Sequence, residues 1–393
     1  MPWNETLTMD QKRLFIRDAL RGSFTIAELC RRYGVSRPTG YKWIQRFQAE
    51  GYPGLEDRSR RPNSCSHETS TEITEAIVEL RRRHPYWGAK KLLTILKGRQ
   101  PSVKWPARST VCDLLSRHGM IETKRRRKYP GHAGKPTQTM DAPNDTWCAD
   151  FKGEFKTRDG IYCYPLTVTD GYSRFILGCQ GLLSTAHKGA RPVFHRLFKE
   201  HGLPRFIRSD NGVPFATTAI GRLSRLSIWW IRLGIYPELI EPGHPEQNGR
   251  HERMHGTLKQ ETTRPAAGTI RGQQRRFDQF RTEFNELRPH EALDQETPAS
   301  RYESSLREYP PRIPSIEYPA HFEKRLMSRN GGFRWTNTRV PLSHLLEGQY
   351  VGLEEVGDGI WDVYFSNVRL GQMDERILRV EDALGKRMRN PKV

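Results

Sequence analysis

The sequence predicts a multidomain α+β protein, with helix-turn-helix units at the N-terminus, an α/β core on a mixed sheet, and a small β-barrel at the C-terminus. Three observations predict it. Apolar residues recur at helical spacing as far as Met120. From residue 146, strand-like runs come first and then alternate with helical ones. After a Pro-rich bridge at 309–319, short alternating strands return. The expected domains are 1–62 and 63–122 (helical), 123–139 (basic linker), 140–305 (core), 306–330 (linker) and 331–393 (barrel), which a chain of 393 residues can hold.

Residues 8–50 predict three helices. TMDQKRLFIRDALRG places Leu14, Phe15 and Leu20 at helical spacing and stops at Gly22. TIAELCRRYG puts Ile26, Leu29 and Cys30 on one face and stops at Gly34. In VSRPTGYKWIQRFQAEG, Ser36 suits an N-cap and Pro38 the first turn. Tyr41, Ile44 and Phe47 share its expected packed face, while Arg37, Thr39, Lys42 and Arg46 project elsewhere. A short helix, a Gly turn and a basic second helix make a helix-turn-helix. A small bundle with a solvated basic face has the same periodicity, but the chain's charge favours DNA binding. A second helical unit breaks at Pro85 and resumes at Ser109 and Thr110; it reads as a second helix-turn-helix or as a helical spacer.

The net charge is +20, and it is unevenly placed. Residues 1–140 hold 28 Lys+Arg against 13 Asp+Glu, a net of +15, and residues 141–393 hold 37 against 32, a net of +5. A basic half points to a polyanion. Lys124, Arg125, Arg126, Arg127 and Lys128 form an unbroken run in a Gly- and Pro-containing linker, expected to bind DNA backbone. Membrane is disfavoured: SIWWI at 227–231 is far short of the roughly 20 apolar residues of a span. No signal peptide is visible at the start. The six cysteines are widely spaced, without C-x-x-C, which suggests reduced thiols and a cytoplasmic protein.

Three acids lie in unusual places in the core. Asp150 sits inside the apolar run TWCADFKG, Asp210 at the end of RFIRSD just before Asn211-Gly212, and Glu246 at the expected first turn of a helix over 245–261. Gly212 is expected to supply a left-handed turn. Asp150 and Asp210 are separated by 59 residues, and Asp210 and Glu246 by 35. Carboxylates gathered at one end of a sheet repel each other unless a cation relieves them. Oxygen donors without close His or Cys suit Mg²⁺ or Mn²⁺, and two such ions serve phosphoryl displacement. Each acid also has a plain alternative: a turn residue, a helix-dipole partner, an outward strand residue.

The motifs WCADFKG, TVTDGYSRFILG, IRSDNGVPF, PGHPEQNGRHERMHGTLKQE and FNELRPHEALDQETPASRY resemble those of bacterial insertion-sequence DDE transposases, whose catalytic core is of the retroviral-integrase kind. The resemblance implies a ribonuclease-H-like core, two Mg²⁺ ions, and metal-dependent cleavage and joining of DNA. It assigns Asp150, Asp210 and Glu246 as catalytic metal ligands and Asp170 as a turn acid. The zinc module of retroviral integrases is absent from the sequence; helix-turn-helix units stand in its place. Arg250 and Arg253, at i+4 and i+7 from Glu246, are expected on its helix face, holding DNA phosphates. Glu252, six positions past Glu246, falls on another face and is expected to be dispensable. His244, His251 and His255 are assigned to DNA contact or structure. The expected partners are double-stranded DNA, as element ends and target, and further copies of the chain, at least a dimer. A bacterial, nucleoid-associated location follows. A non-catalytic DNA-binding regulator and a ribonuclease-H-like nuclease are the competing functions.

Overall fold

The computed structural model describes residues 8–58, 69–121, 140–151, 153–241 and 245–383. The chain divides into two compact units between Ser70 and Thr71.

In the first unit, helices α1 (Thr8–Leu20), α2 (Ile26–Arg32) and α3 (Arg37–Glu50) follow the expected stops. Thr25 and Glu28 form a capping box on α2, and Ser36 caps α3 through the Thr39 N–H. Phe15, Ile16, Leu29, Cys30, Trp43 and Leu55 make the core. The packed face of α3 differs from expectation: Gly40 and Trp43 are buried, whereas Tyr41 is 53% exposed. The cause is close packing at Gly40, where an added Cβ would lie 2.6 Å from Cys30 Sγ, so this edge of α3 is the one pressed inward. Lys12 is buried beside it. Its Nζ donates to the Leu55 carbonyl at 3.1 Å, pairs with Asp57 at 2.7 Å, and lies 4.0 Å from the Trp43 ring centre.

The second unit opens with α4 (Thr71–Arg83), α5 (Ala89–Arg99) and α6 (Arg108–Arg117). Ile77, Leu80, Trp87, Leu92, Leu96, Val111 and Leu115 pack between them. The Arg81 guanidinium ties the trio together by donating to the carbonyls of Trp87 and Met120.

The α/β core follows: β1 (Thr146–Phe151), β2 (Phe155–Lys156), β3 (Tyr162–Asp170), β4 (Ile176–Leu182), α7 (His187–His201), β5 (Phe206–Ser209), α8 (Arg225–Arg232), β6 (Tyr236–Leu239), α9 (Gly249–Thr262) and α10 (Ile270–Thr282). The main sheet order is β4-β3-β1-β5-β6, with β2 extending the end of β3. β3 is antiparallel to β4 and β1, while β5 is parallel to β1 and to β6. This is the ribonuclease-H-like mixed sheet. Alternation sorts its two faces. Trp147, Ala149, Leu166 and Val168 pack against Phe194, Phe198 and Trp230 of α7 and α8. Cys163, Ile176 and Cys179 pack against Met254 and Leu258 of α9 and Phe277 and Phe280 of α10.

The tail carries β7 (Glu323–Leu326), β8 (Gly332–Trp335), β9 (Thr338–Pro341), β10 (Tyr350–Gly357), β11 (Ile360–Phe365), β12 (Val368–Asp374) and β13 (Arg379–Asp382). Among the described residues the tail does not close into the expected barrel. Instead there is an open antiparallel sheet in the order β13-β12-β11-β10-β7, and a separate β8-β9 hairpin. Its two edge strands are four residues long. The hairpin covers the sheet through side chains, with Phe333, Trp335 and Val340 packed among Leu353, Val363 and Phe365, rather than by a ladder that would close it. Ile228 and Ile231 of α8 join the same cluster, which seats the tail on the core.

Candidate active site

Strand register places the two aspartates. Ala149 of β1 pairs with Ser209 of β5, and the next residues along these parallel strands are Asp150 and Asp210. Adjacent strands lie about 4.8 Å apart, so Asp150 and Asp210, which follow this pair, stand beside each other at one end of the sheet. Asp150 is 23% exposed at its side chain. Asp210 accepts the Gly212 N–H at 3.2 Å, and burial pushes its carboxyl above the usual carboxylate range, opposed by that hydrogen bond. Hard oxygen donors with a desolvation penalty of this kind fit a divalent cation such as Mg²⁺. Among the described residues, no three His, Cys, Asp or Glu side chains gather as a complete ligand set.

The turn after Asp210 works differently from expectation. Gly212 is not among the glycines with positive φ. Its value is space, because a Cβ there would lie 3.0 Å from Asp210 Oδ2. Asn211 anchors the turn, donating to the Ile240 carbonyl at 2.7 Å and accepting from Arg222 at 2.6 Å.

Glu246 lies in a 3₁₀ turn, Pro245–Asn248, and α9 begins only at Gly249. Glu246 is therefore not part of the α-helix that carries Arg250 and Arg253, and the turn has a different rise and twist from that helix. The Gln247 carbonyl accepts from Arg208 at 3.4 Å, and the Gln247 side chain accepts the Glu241 N–H at 2.9 Å, so the turn is stitched to the ends of β5 and β6. The Glu246 side chain lies outside the described residues. Glu252 is the acid in the first turn of α9, and it is exposed.

Beneath Asp150 is a buried polar hub that the sequence did not suggest. Thr167, opposite Asp150 on β3, donates to the Asp150 carbonyl at 3.1 Å. Its oxygen also contacts His251 Nε2 at 2.7 Å and His255 Nε2 at 2.6 Å. Since the hydroxyl proton is engaged with Asp150, both imidazoles must donate N–H to Thr167. His251 Nδ1 then accepts from Thr169 at 2.9 Å, and His255 Nδ1 lies 3.7 Å from Asp150 Oδ2. The i,i+4 spacing of the two histidines was the available signal, and it marks the side of α9 that docks on the sheet.

Arg250 donates to the Gly171 carbonyl at 3.0 Å, and with Arg253 it lines a cavity floored by Cys148 and Thr169. Asp170 is buried as a turn acid. Its carboxylate accepts from the Asn144 N–H at 2.8 Å and from Ser173 N–H and Oγ at 2.8 and 2.6 Å. On α3, Arg37 and Lys42 are exposed, whereas Thr39 and Arg46 are half-buried. Lys42 and Arg46 lean over the Trp43 ring at 5.3 and 5.1 Å. Tyr41 and Gln45, missed in the sequence, share the exposed face with Lys42. Lys124 to Lys128 and His244 lie outside the described residues.

Integrase core domains match residues 140–245 and 233–298. Residues 140–298 are thus similar to integrase core domains. A helix-turn-helix domain matches residues 11–63, and a homeodomain-like domain matches residues 39–115. An uncharacterized 39.2 kDa protein of insertion element IS476 from Xanthomonas euvesicatoria is 26% identical, over 71% of this chain and 78% of that protein. The Gag-Pol polyprotein of baboon endogenous virus is 33% identical, over 34% of this chain and 7% of the polyprotein. A simian T-cell lymphotropic virus intasome, solved in complex with PP2A regulatory subunit B56 gamma, includes a chain 16% identical, covering 75% of this chain and 97% of that one at a TM-score of 0.37. The chain resembles bacterial insertion-sequence transposases with an integrase-type core. No helix among the described residues is long and apolar enough to cross a membrane.

Proposed function

We propose that this chain is a DNA transposase, which binds the ends of a mobile element and cuts and joins DNA strands with divalent metal. The observation that carries the reading is Asp150 and Asp210, side by side on adjacent parallel strands within the integrase core region. Asp150, Asp210 and Glu246 would hold two Mg²⁺, or Mn²⁺ in their place. When bound, such ions supply charge stabilisation and activate the attacking oxygen in phosphoryl transfer. The chain's own residues do the positioning. Thr167 fixes the Asp150 backbone, and Asn211 anchors the turn that follows Asp210.

One observation favours a second assignment of the third acid. His255 reaches Asp150, and Glu252 precedes His255 by three residues on α9, so Glu252 stands one turn away on the helix that touches the site. Glu246 and Glu252 are therefore to be tested together. The N-terminal units bind the element ends, and joining two ends requires at least two copies of the chain.

One incubation tests the function. Protein, Mg²⁺ and labelled duplexes carrying the sequences that flank its gene are mixed and the products sized. Joined strands support the transposase. Cut strands alone indicate a nuclease, and shifted but intact DNA indicates a regulator.

A further inference from the structure

The cavity lined by Arg250 and Arg253 has a volume of 340 Å³ and gathers cations from four separate places in the chain: Lys91 on α5, Arg174 in the β3–β4 turn, Arg250 and Arg253 on α9, and Arg288 beyond α10. We infer that this cavity seats a backbone phosphate of the bound DNA, about two nucleotides from the phosphate that is cut.

The charges there are not balanced from within. Of the two acids on the wall, Asp170 is committed to its own turn, and Glu291 pairs with Lys90 at 2.7 Å, outside the cavity lining. Arg288 is neutralised by Glu261 at 2.5 Å. Among the described residues, Lys91, Arg174, Arg250 and Arg253 have no such carboxylate on the wall. Burial and Arg288 push the Lys91 ammonium down to about 8. Arg174 Nε and His290 Nε2 are buried with no hydrogen-bond partner. A buried donor without an acceptor is destabilising, and an anion oxygen would satisfy Arg174 Nε. Arg174 also holds a left-handed backbone at φ 67°, a conformation unfavourable for a non-glycine residue. The fold thus keeps a strained residue whose side chain serves no internal partner at Nε.

Distance fixes which phosphate. Cys148, on the cavity wall, is two residues before Asp150 on β1 and on the same face. Two strand residues span about 6.6 Å. A B-DNA duplex rises about 3.4 Å per nucleotide along its axis, so a duplex laid along β1 and cut at Asp150 and Asp210 passes the cavity about two nucleotides away. This rests on the transposase reading, and it gives Arg250 and Arg253 a specific contact in place of general proximity to the metal.

The test uses the full chain and duplexes of the element end in which one phosphate at a time is replaced by an uncharged methylphosphonate. Affinity is measured by fluorescence anisotropy for the wild type, Lys91→Gln and Arg253→Gln. Inorganic phosphate is titrated as a competitor. A single methylphosphonate two nucleotides from the cut site should weaken wild-type binding about tenfold, and it should add little to the loss already caused by either variant. Replacements elsewhere should add in full. If the wild type binds DNA but no position near the cut shows this non-additivity, the inference is overturned while the transposase reading stands. Competition by inorganic phosphate that is lost in both variants, with no coupled position on DNA, would also overturn it and assign the cavity to a small phosphorylated ligand. Failure of the wild type to bind any duplex would sink the transposase reading and this inference with it. The substituted DNA keeps the test decisive even if a variant misfolds.

Discussion

Replacing Thr167 by Val removes the hydroxyl at the centre of the hub under Asp150 while keeping the β-branched shape. Thr167 is fully buried, and His251 and His255 are 1% and 3% exposed. Two imidazole N–H donors and the Asp150 carbonyl lose their partner at once. Each buried group left unsatisfied costs about 1–3 kcal/mol, and His251 keeps its bond to Thr169, so the total should be ~2–4 kcal/mol. At about 2–4 °C per kcal/mol for a domain of this size, the core should melt ~5–15 °C lower. Thr167→Ser is the comparison. It keeps the hydroxyl and loses one methyl, at a cost of about 1 kcal/mol. Thermal unfolding followed by circular dichroism ranks the three, and strand joining in Mg²⁺ should follow the same order. A Val variant as stable as the Ser variant would refute the hub, since packing alone favours Val.

Lys12→Met should cost the first unit about 1–3 kcal/mol in urea unfolding, through the lost bond to Leu55, whereas Asp57→Asn should cost under about 1 kcal/mol because Asp57 is 83% exposed. Tyr41→Ala and Gln45→Ala should alter sequence preference in a binding selection while leaving stability within about 0.5 kcal/mol, since both side chains are on the exposed face of α3. Neutralising Lys124 to Lys128 should weaken DNA binding and flatten its salt dependence by several units of slope without changing preference; a changed preference would show that this segment reads bases.

Much of the fold was legible because period and punctuation agree. Gly22 and Gly34 end helices where expected, and the Asp170-Gly171 turn joins two strands whose apolar runs are unmistakable. The position of Asp150 could be anticipated because a carboxylate inside an apolar strand needs a reason. What failed depended on partners distant in sequence. Tyr41 and Trp43 are two residues apart, and only contact between Gly40 and Cys30 decides which turns inward. Helix α10 went unread because Phe277 and Phe280 make too thin a stripe, and its burial comes from Cys163 and Cys179 on the sheet. The 3₁₀ turn at Glu246 is set by Arg208 and Glu241, which no local pattern reports. Short alternating strands signal a β tail but not whether its ladder closes, which depends on where the β8-β9 hairpin lands.

The most direct measurement is the strand-joining rate in Mg²⁺ of Asp150→Asn, Asp210→Asn, Glu246→Gln and Glu252→Gln, each alongside its affinity for the element ends. Each Asp variant keeps size and hydrogen-bonding capacity but loses the charge that would hold a cation. Both should bind DNA normally and join at least about 10³-fold more slowly, as expected when charge stabilisation at the reacting phosphate is lost. Of the two Glu variants, one should behave like them and the other like the wild type, which names the third ligand. If Asp210→Asn joins strands at the wild-type rate in Mg²⁺, Asp210 is only a turn residue, and the metal-dependent transposase reading of this site is contradicted.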